Sequence, residues 1–171
     1  MKIALVGYMA SGKSSVGQVL SQKLDHGFID LDNAIEENVG CSISKIFHQK
    51  GELFFRKKES EVLISILREK PSFVLSTGGG TPCYGNNMET MLESADQVFY
   101  LRLSIPVLVK RLRTEKEKRP LIQSIAEEDL QEFVRKHLFE RSPFYFKADH
   151  DIFCDGKTVN EIVQDIQAKL L

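Results

Sequence analysis

Charge of one sign is what this chain most lacks. Its 23 Lys and Arg residues stand against 24 Asp and Glu, a formal net charge of −1 at pH 7. A protein that grips nucleic acid or an anionic membrane through bulk electrostatics needs a basic stripe. Neither is therefore expected as a partner. Cysteine is scarce too: Cys41, Cys83 and Cys154 lie far apart with no C-x-x-C pair. That argues against a disulfide framework and for free thiols in a reducing compartment. His26, His48, His137 and His150 show no zinc-ligand spacing. No apolar run approaches the roughly 18 residues of a membrane span, and Met1–Gly7 is too short an apolar stretch for a signal peptide. The expectation is a soluble, cytoplasmic protein. With 5 Pro and 11 Gly, disordered and collagen-like classes are excluded as well.

What is present is a chain of 171 residues, 42% hydrophobic and 27% charged, which fits one domain. A chain of this length can bury about 70% of its unfolded surface, so it needs no metal or disulfide to hold it. No internal repeat or linker divides residues 1–171. Short apolar runs at Ile3–Val6, Phe28–Leu31, Phe73–Ser76, Val98–Leu103 and Ile152–Cys154 predict strands. The runs at Ile3 and Phe73 are continuously apolar, as in parallel strands covered on both faces. Between the runs lie helical patterns. Val159, Ile162, Val163, Ile166 and Leu170 share one helix face, and Val62, Leu63, Ile66 and Leu67 do so on a helix from about Glu52 to Glu69. Alternating strands and helices imply an α/β parallel sheet, with ligands at the carboxyl ends of the strands.

Gly7-Tyr8-Met9-Ala10-Ser11-Gly12-Lys13-Ser14 matches G-x-x-x-x-G-K-[ST], preceded by an apolar strand and followed by the helix-forming run Val16–Leu24. Gly12 lets the backbone curl so that N–H groups face phosphate oxygens, and the helix that follows adds the positive end of its dipole. Lys13 supplies a point charge for the β- and γ-phosphates, and the Ser14 hydroxyl suits an octahedral Mg²⁺. The motif predicts ATP or GTP with magnesium. A regulatory GTPase would need N-K-x-D or D-x-x-G motifs, which are missing from suitable places. The small size favours a kinase of a small molecule.

On the acceptor side several patterns each allow two readings. Asp30 and Asp32 are two apart on a strand and can both project past the sheet edge; alternatively Asp32 simply caps a helix over Asn33–Val39. Arg56 and Glu59 can meet on one helix face, as a functional pair or as a surface ion pair. Gly78-Gly79-Gly80 marks either close backbone approach or a flexible turn. Arg141, at a helix end before Pro143, either binds something or complements the dipole. The run Arg113-Thr114-Glu115-Lys116-Glu117-Lys118-Arg119 carries six charges and is a solvated loop or a lid.

Taken together, the Gly7–Ser14 loop, Asp30-x-Asp32, Phe55-Arg56-x-x-Glu59, Gly78-Gly79-Gly80, Arg119-Pro120 and Arg141-Ser142-Pro143-x-Tyr145 stand in the order and spacing of the shikimate kinase family. The resemblance covers essentially the whole chain. It implies a three-layer α/β/α sandwich with a five-stranded parallel sheet in the order 2-3-1-4-5, a substrate-binding segment at about 32–60 and a lid at about 113–124. It implies transfer of phosphate from ATP to the 3-hydroxyl of shikimate, by a monomer. Ala10, Ser11, Gly12, Lys13, Ser14 and Ser15 match the ATP-binding loop. Arg119 matches a lid residue on the transferring phosphate, and Arg113 the arginine that stacks on adenine. Asp32, Arg56, Gly78, Gly79, Gly80 and Arg141 match the shikimate site, with Lys13, Asp32 and Arg119 catalytic and Glu59 fixing Arg56. Ser14 would meet magnesium directly, Asp30 and Ser76 through water. The Asp155–Lys157 stretch is expected beside adenine. The departures are Ala10, where glycine or a similar small residue is common, and Ser15, where threonine is usual. A gluconate-type kinase is the rival with the same loop.

Overall fold

The computed structural model describes all 171 residues. Five parallel strands, β1 (Lys2–Val6), β2 (Gly27–Asp30), β3 (Phe73–Ser76), β4 (Gln97–Arg102) and β5 (His150–Phe153), lie in the order β2-β3-β1-β4-β5. The order is the one expected. β1 is apolar from Ile3 onward because it is central: Ile3, Ala4, Leu5 and Val6 are wholly buried, within a single core cluster of 37 residues. Ladder bonds end level on the carboxyl side, where Ser76 pairs with both Leu5 and Asp30. That alignment places the ends of β1, β2 and β3 beside one another.

Helix α1 (Lys13–Leu24) follows β1 and packs on α8 (Val159–Leu170), while α2 (Leu31–Val39) packs on α3 (Ile43–Glu69). α3 also meets α4 (Asn87–Ser94), and α5 (Ile105–Glu115) meets α7 (Leu130–Tyr145). The short α6 (Pro120–Gln123) lies between α5 and α7. The helices cover both faces of the sheet.

Three local expectations shift. β4 and β5 begin before their apolar runs, at Gln97 and His150, since strand pairing rather than hydrophobicity sets their limits. Leu31 leaves β2 and opens α2, and the cap is Asp30, not Asp32: its carboxylate accepts from the Asp32 and Asn33 amides at 3.0 and 3.3 Å. α3 begins at Ile43 instead of near Glu52, but it is broken at Gly51, whose backbone (φ 81°, ψ 175°) is not helical. The half that follows carries Arg56 and Glu59.

Candidate active site

The loop between β1 and α1 closes on Lys13. Gly12, at φ 90°, adopts a left-handed turn that a side chain would resist, and it starts the helix. Ala10 sits at φ 62° in the same loop, which explains why glycine suits that position. Buried to 7% exposure, the Lys13 ammonium donates to the Gly7 and Tyr8 carbonyls at 2.8 and 2.9 Å and to Ser11 Oγ at 3.3 Å. Burial pulls its pKa down to about 8, against the opposing pull of Asp32. Next to it Ser14 Oγ donates to Asp30 Oδ2 at 2.8 Å and lies 3.2 Å from Ser76 Oγ. These hard oxygens suit magnesium, which keeps waters and substrate oxygens in its shell and needs few protein ligands.

A cleft of about 520 Å³ opens over this loop. Ser15, Asp32, Gly78 and Gly79 line it together with Arg111, Glu115 and Arg119. Arg119 Nε donates to Glu115 Oε2 at 2.7 Å, so an acidic side chain holds this arginine beside the loop. Arg113 is not in the cleft. It is half exposed and pairs with Glu127 at 2.7 Å. Residues two apart on a helix face opposite ways, and it is Arg111 that turns inward, its Nη1 donating to the Ala10 carbonyl at 3.1 Å. Helical phase from Leu108 and Leu112, both buried, was the available signal for Arg111. The Asp155–Lys157 stretch also stays outside the cleft lining: Asp155 accepts from the Ser104 amide and Lys157 pairs with Asp165.

At the edge of the cleft, which Gly78 and Gly79 line, the three glycines form a turn against Asp32, Arg56 and Arg141. A methyl group on Gly78 would lie 3.3 Å from Asp32 Oδ1, and one on Gly79 would lie 3.1 Å from the Met9 amide of the phosphate loop. At Gly80 the methyl would sit 2.8 Å from Arg56 Nη2 and 3.2 Å from Arg141 Nη2. Two guanidiniums from α3 and α7 thus converge on one backbone position. A side chain there would have to push the two cations out of the space they occupy. Arg56 Nη1 donates to Glu59 Oε1 at 2.9 Å, and the other oxygen of this buried carboxylate accepts from Thr81 Oγ1 at 2.7 Å. Arg141, half-buried, makes no ion pair. The Tyr145 hydroxyl, one turn further on, donates to the Gly79 carbonyl and anchors the turn. Asp32 faces Gly78, its pKa pushed up to about 6 by burial and by the nearby Asp30 and Glu59 carboxylates. Tyr8 Oη lies 2.8 Å from His137 Nδ1 and ties the phosphate loop to α7. Sequence patterns gave no hint of that link, since the partners are 129 residues apart.

A parallel sheet in this order, with a lysine-bearing glycine loop at its carboxyl edge and an acid–base and cation cluster facing it, defines a P-loop phosphotransferase fold and site. A family model described as Shikimate kinase matches residues 9–171. A shikimate kinase of Flavobacterium psychrophilum is 47% identical over 166 residues, covering 96% of either chain. The crystal structure of shikimate kinase from Bacteroides thetaiotaomicron superposes with a TM-score of 0.90 at 35% identity, covering 98% of this chain and 97% of that one. Shikimate kinase from Acinetobacter baumannii in complex with shikimate gives 0.88 at 32% identity, over 98% and 91%. A gluconokinase from Sinorhizobium meliloti, covering 99% of this chain and 90% of that one, shares the fold alone, at 0.63 and 17%. The chain belongs to the shikimate kinase family.

Proposed function

We propose that the protein transfers the γ-phosphoryl group of ATP to the 3-hydroxyl of shikimate, giving ADP and shikimate 3-phosphate on the route to chorismate and the aromatic amino acids. One observation carries the reading: Arg56 and Arg141 converge on Gly80, and Arg141 has no carboxylate of its own. Shikimate is a compact ring with one carboxylate and three hydroxyls. The two planar forks hold the carboxylate through charge-assisted hydrogen bonds. Gly78, Gly79 and Gly80 let the backbone close on the ring.

Asp32 orients the 3-hydroxyl and accepts its proton as the oxygen attacks the γ-phosphorus; the bond from that phosphorus to the β–γ bridging oxygen breaks and ADP leaves. A carboxylate with a pKa of about 6 is ionised at pH 7 yet more basic than an ordinary one. Lys13 turns from its loop carbonyls to the phosphate oxygens, and Arg119 leaves Glu115 to do the same. In a loose transition state, such placement of positive charge accounts for most of the catalysis. Ser14, with Asp30 and Ser76 acting through water, would hold magnesium, whose charge would offset that of the phosphates. Arg111 takes the place expected of Arg113 beside the nucleotide. The segment 113–124 closes as a lid and excludes water as a competing acceptor, and 32–60 forms the substrate-binding side of a single domain. The reading carries a monomer in the cytoplasm. The balanced charge supports the lack of a nucleic-acid partner, and no helix is long and apolar enough to cross a membrane.

A coupled ADP-release assay with ATP, Mg²⁺ and either shikimate or gluconate tests the assignment. Saturable turnover with shikimate is expected; turnover of gluconate alone would overturn it.

A further inference from the structure

Arg56 is held by more than its ion pair with Glu59. The Tyr84 ring lies over its guanidinium, with the central carbon 3.8 Å from the ring centroid, and Phe55 approaches at 5.0 Å. Tyr84 Oη donates to Glu52 Oε1 at 3.0 Å, and the same carboxylate oxygen stands 3.7 Å from Arg56 Nε. That Nε is sealed from solvent without a hydrogen-bond partner. The side and face of the fork are therefore closed, Nη1 is shared with Glu59, and the Nη edge is the part presented to Gly80 and Arg141.

We infer that Tyr84, seated by Glu52, is a positioning residue that fixes the plane of Arg56 and so sets affinity for the acceptor's carboxylate. Tyr84 stands just past the glycine turn and the short helical turn Thr81–Cys83, so it reads the position of that turn as well. An arginine side chain without such a wall loses rotamer entropy each time it binds an anion. A ring stacked on the guanidinium removes that loss beforehand and adds a cation–π attraction that strengthens as water is excluded. The hydroxyl link to Glu52 keeps the ring from swinging out. The inference rests on the reading of Arg56 as a carboxylate ligand.

Steady-state kinetics of Tyr84→Leu, Tyr84→Phe and Glu52→Gln test it, with ATP and shikimate varied separately. Tyr84→Leu is expected to raise the shikimate KM about tenfold, while kcat and the ATP KM stay within about twofold. Tyr84→Phe keeps the ring but loses its tie to Glu52, so it and Glu52→Gln should each raise the shikimate KM about threefold, less than Tyr84→Leu does. An unchanged KM in both would overturn the seating role of Glu52. An unchanged shikimate KM in Tyr84→Leu overturns the inference. So does a joint loss of kcat and of both affinities, which marks a general structural role. Should the leucine variant not fold, Tyr84→Met replaces it; if neither folds, Tyr84 serves the fold and the inference falls. An unaltered enzyme that ignores shikimate instead sinks the reading beneath it, so the two failures are distinct.

Discussion

Asp30 caps the helix that carries Asp32, accepting the Asp32 amide on Oδ1 at 3.0 Å while its Oδ2 receives the Ser14 hydroxyl. One carboxylate thereby aims a second at the glycine turn and links it to the phosphate loop. Asp32 is free of structural duty and is left half-buried among like charges.

Asp32→Asn should lower kcat by at least about 100-fold, the usual scale for loss of a general base, with ATP affinity preserved. Stability should move the other way. The carboxyl of Asp32 titrates near 6 in the folded protein against an ordinary 3.8, so the folded state binds the extra proton between these values. Stability of the unaltered protein falls as pH rises through that window and is level above it. Thermal melts should show the Asn variant ahead by a margin that grows from pH 4 to 6 and then stays constant.

The same shift predicts the pH profile. Kinetic kcat/KM for ATP should fall below about pH 6 as Asp32 protonates and above about pH 8 as Lys13 loses its charge. A profile flat between pH 5 and 7 would remove Asp32 from the proton path.

Arg141→Ala should raise the shikimate KM at least tenfold, about 1.4 kcal/mol, from loss of a charge-assisted contact, with a smaller effect on ATP. Gly80→Ala should do the same by another route. Its methyl would displace both guanidiniums, so the shikimate KM rises while ATP binding, measured by calorimetry, is kept.

Arg111→Ala should raise the ATP KM about three- to tenfold, as expected for one charged contact, and Arg113→Ala should leave it within about twofold. The reverse result would restore Arg113 to the nucleotide side.

Much of this was written in local pattern. The phosphate loop, the central strand and the strand order need only apolar runs, a glycine loop and the family spacing, and each holds in the structure. The exceptions have physical causes. Asp30 and Asp32 are alike in sequence, and only the turn from β2 into α2 decides which one caps. Arg111 and Arg113 differ by helical phase, which a charged run conceals. Tyr84 and His137 act across elements distant in sequence, where no spacing rule applies.

The sharpest trial is a comparison of initial rates for shikimate and for its methyl ester, which keeps every hydroxyl and loses the negative charge. If Arg56 and Arg141 grip the carboxylate, kcat/KM for the ester should be lower by at least about 100-fold, the scale of two charge-assisted bonds. Equal rates would contradict the account.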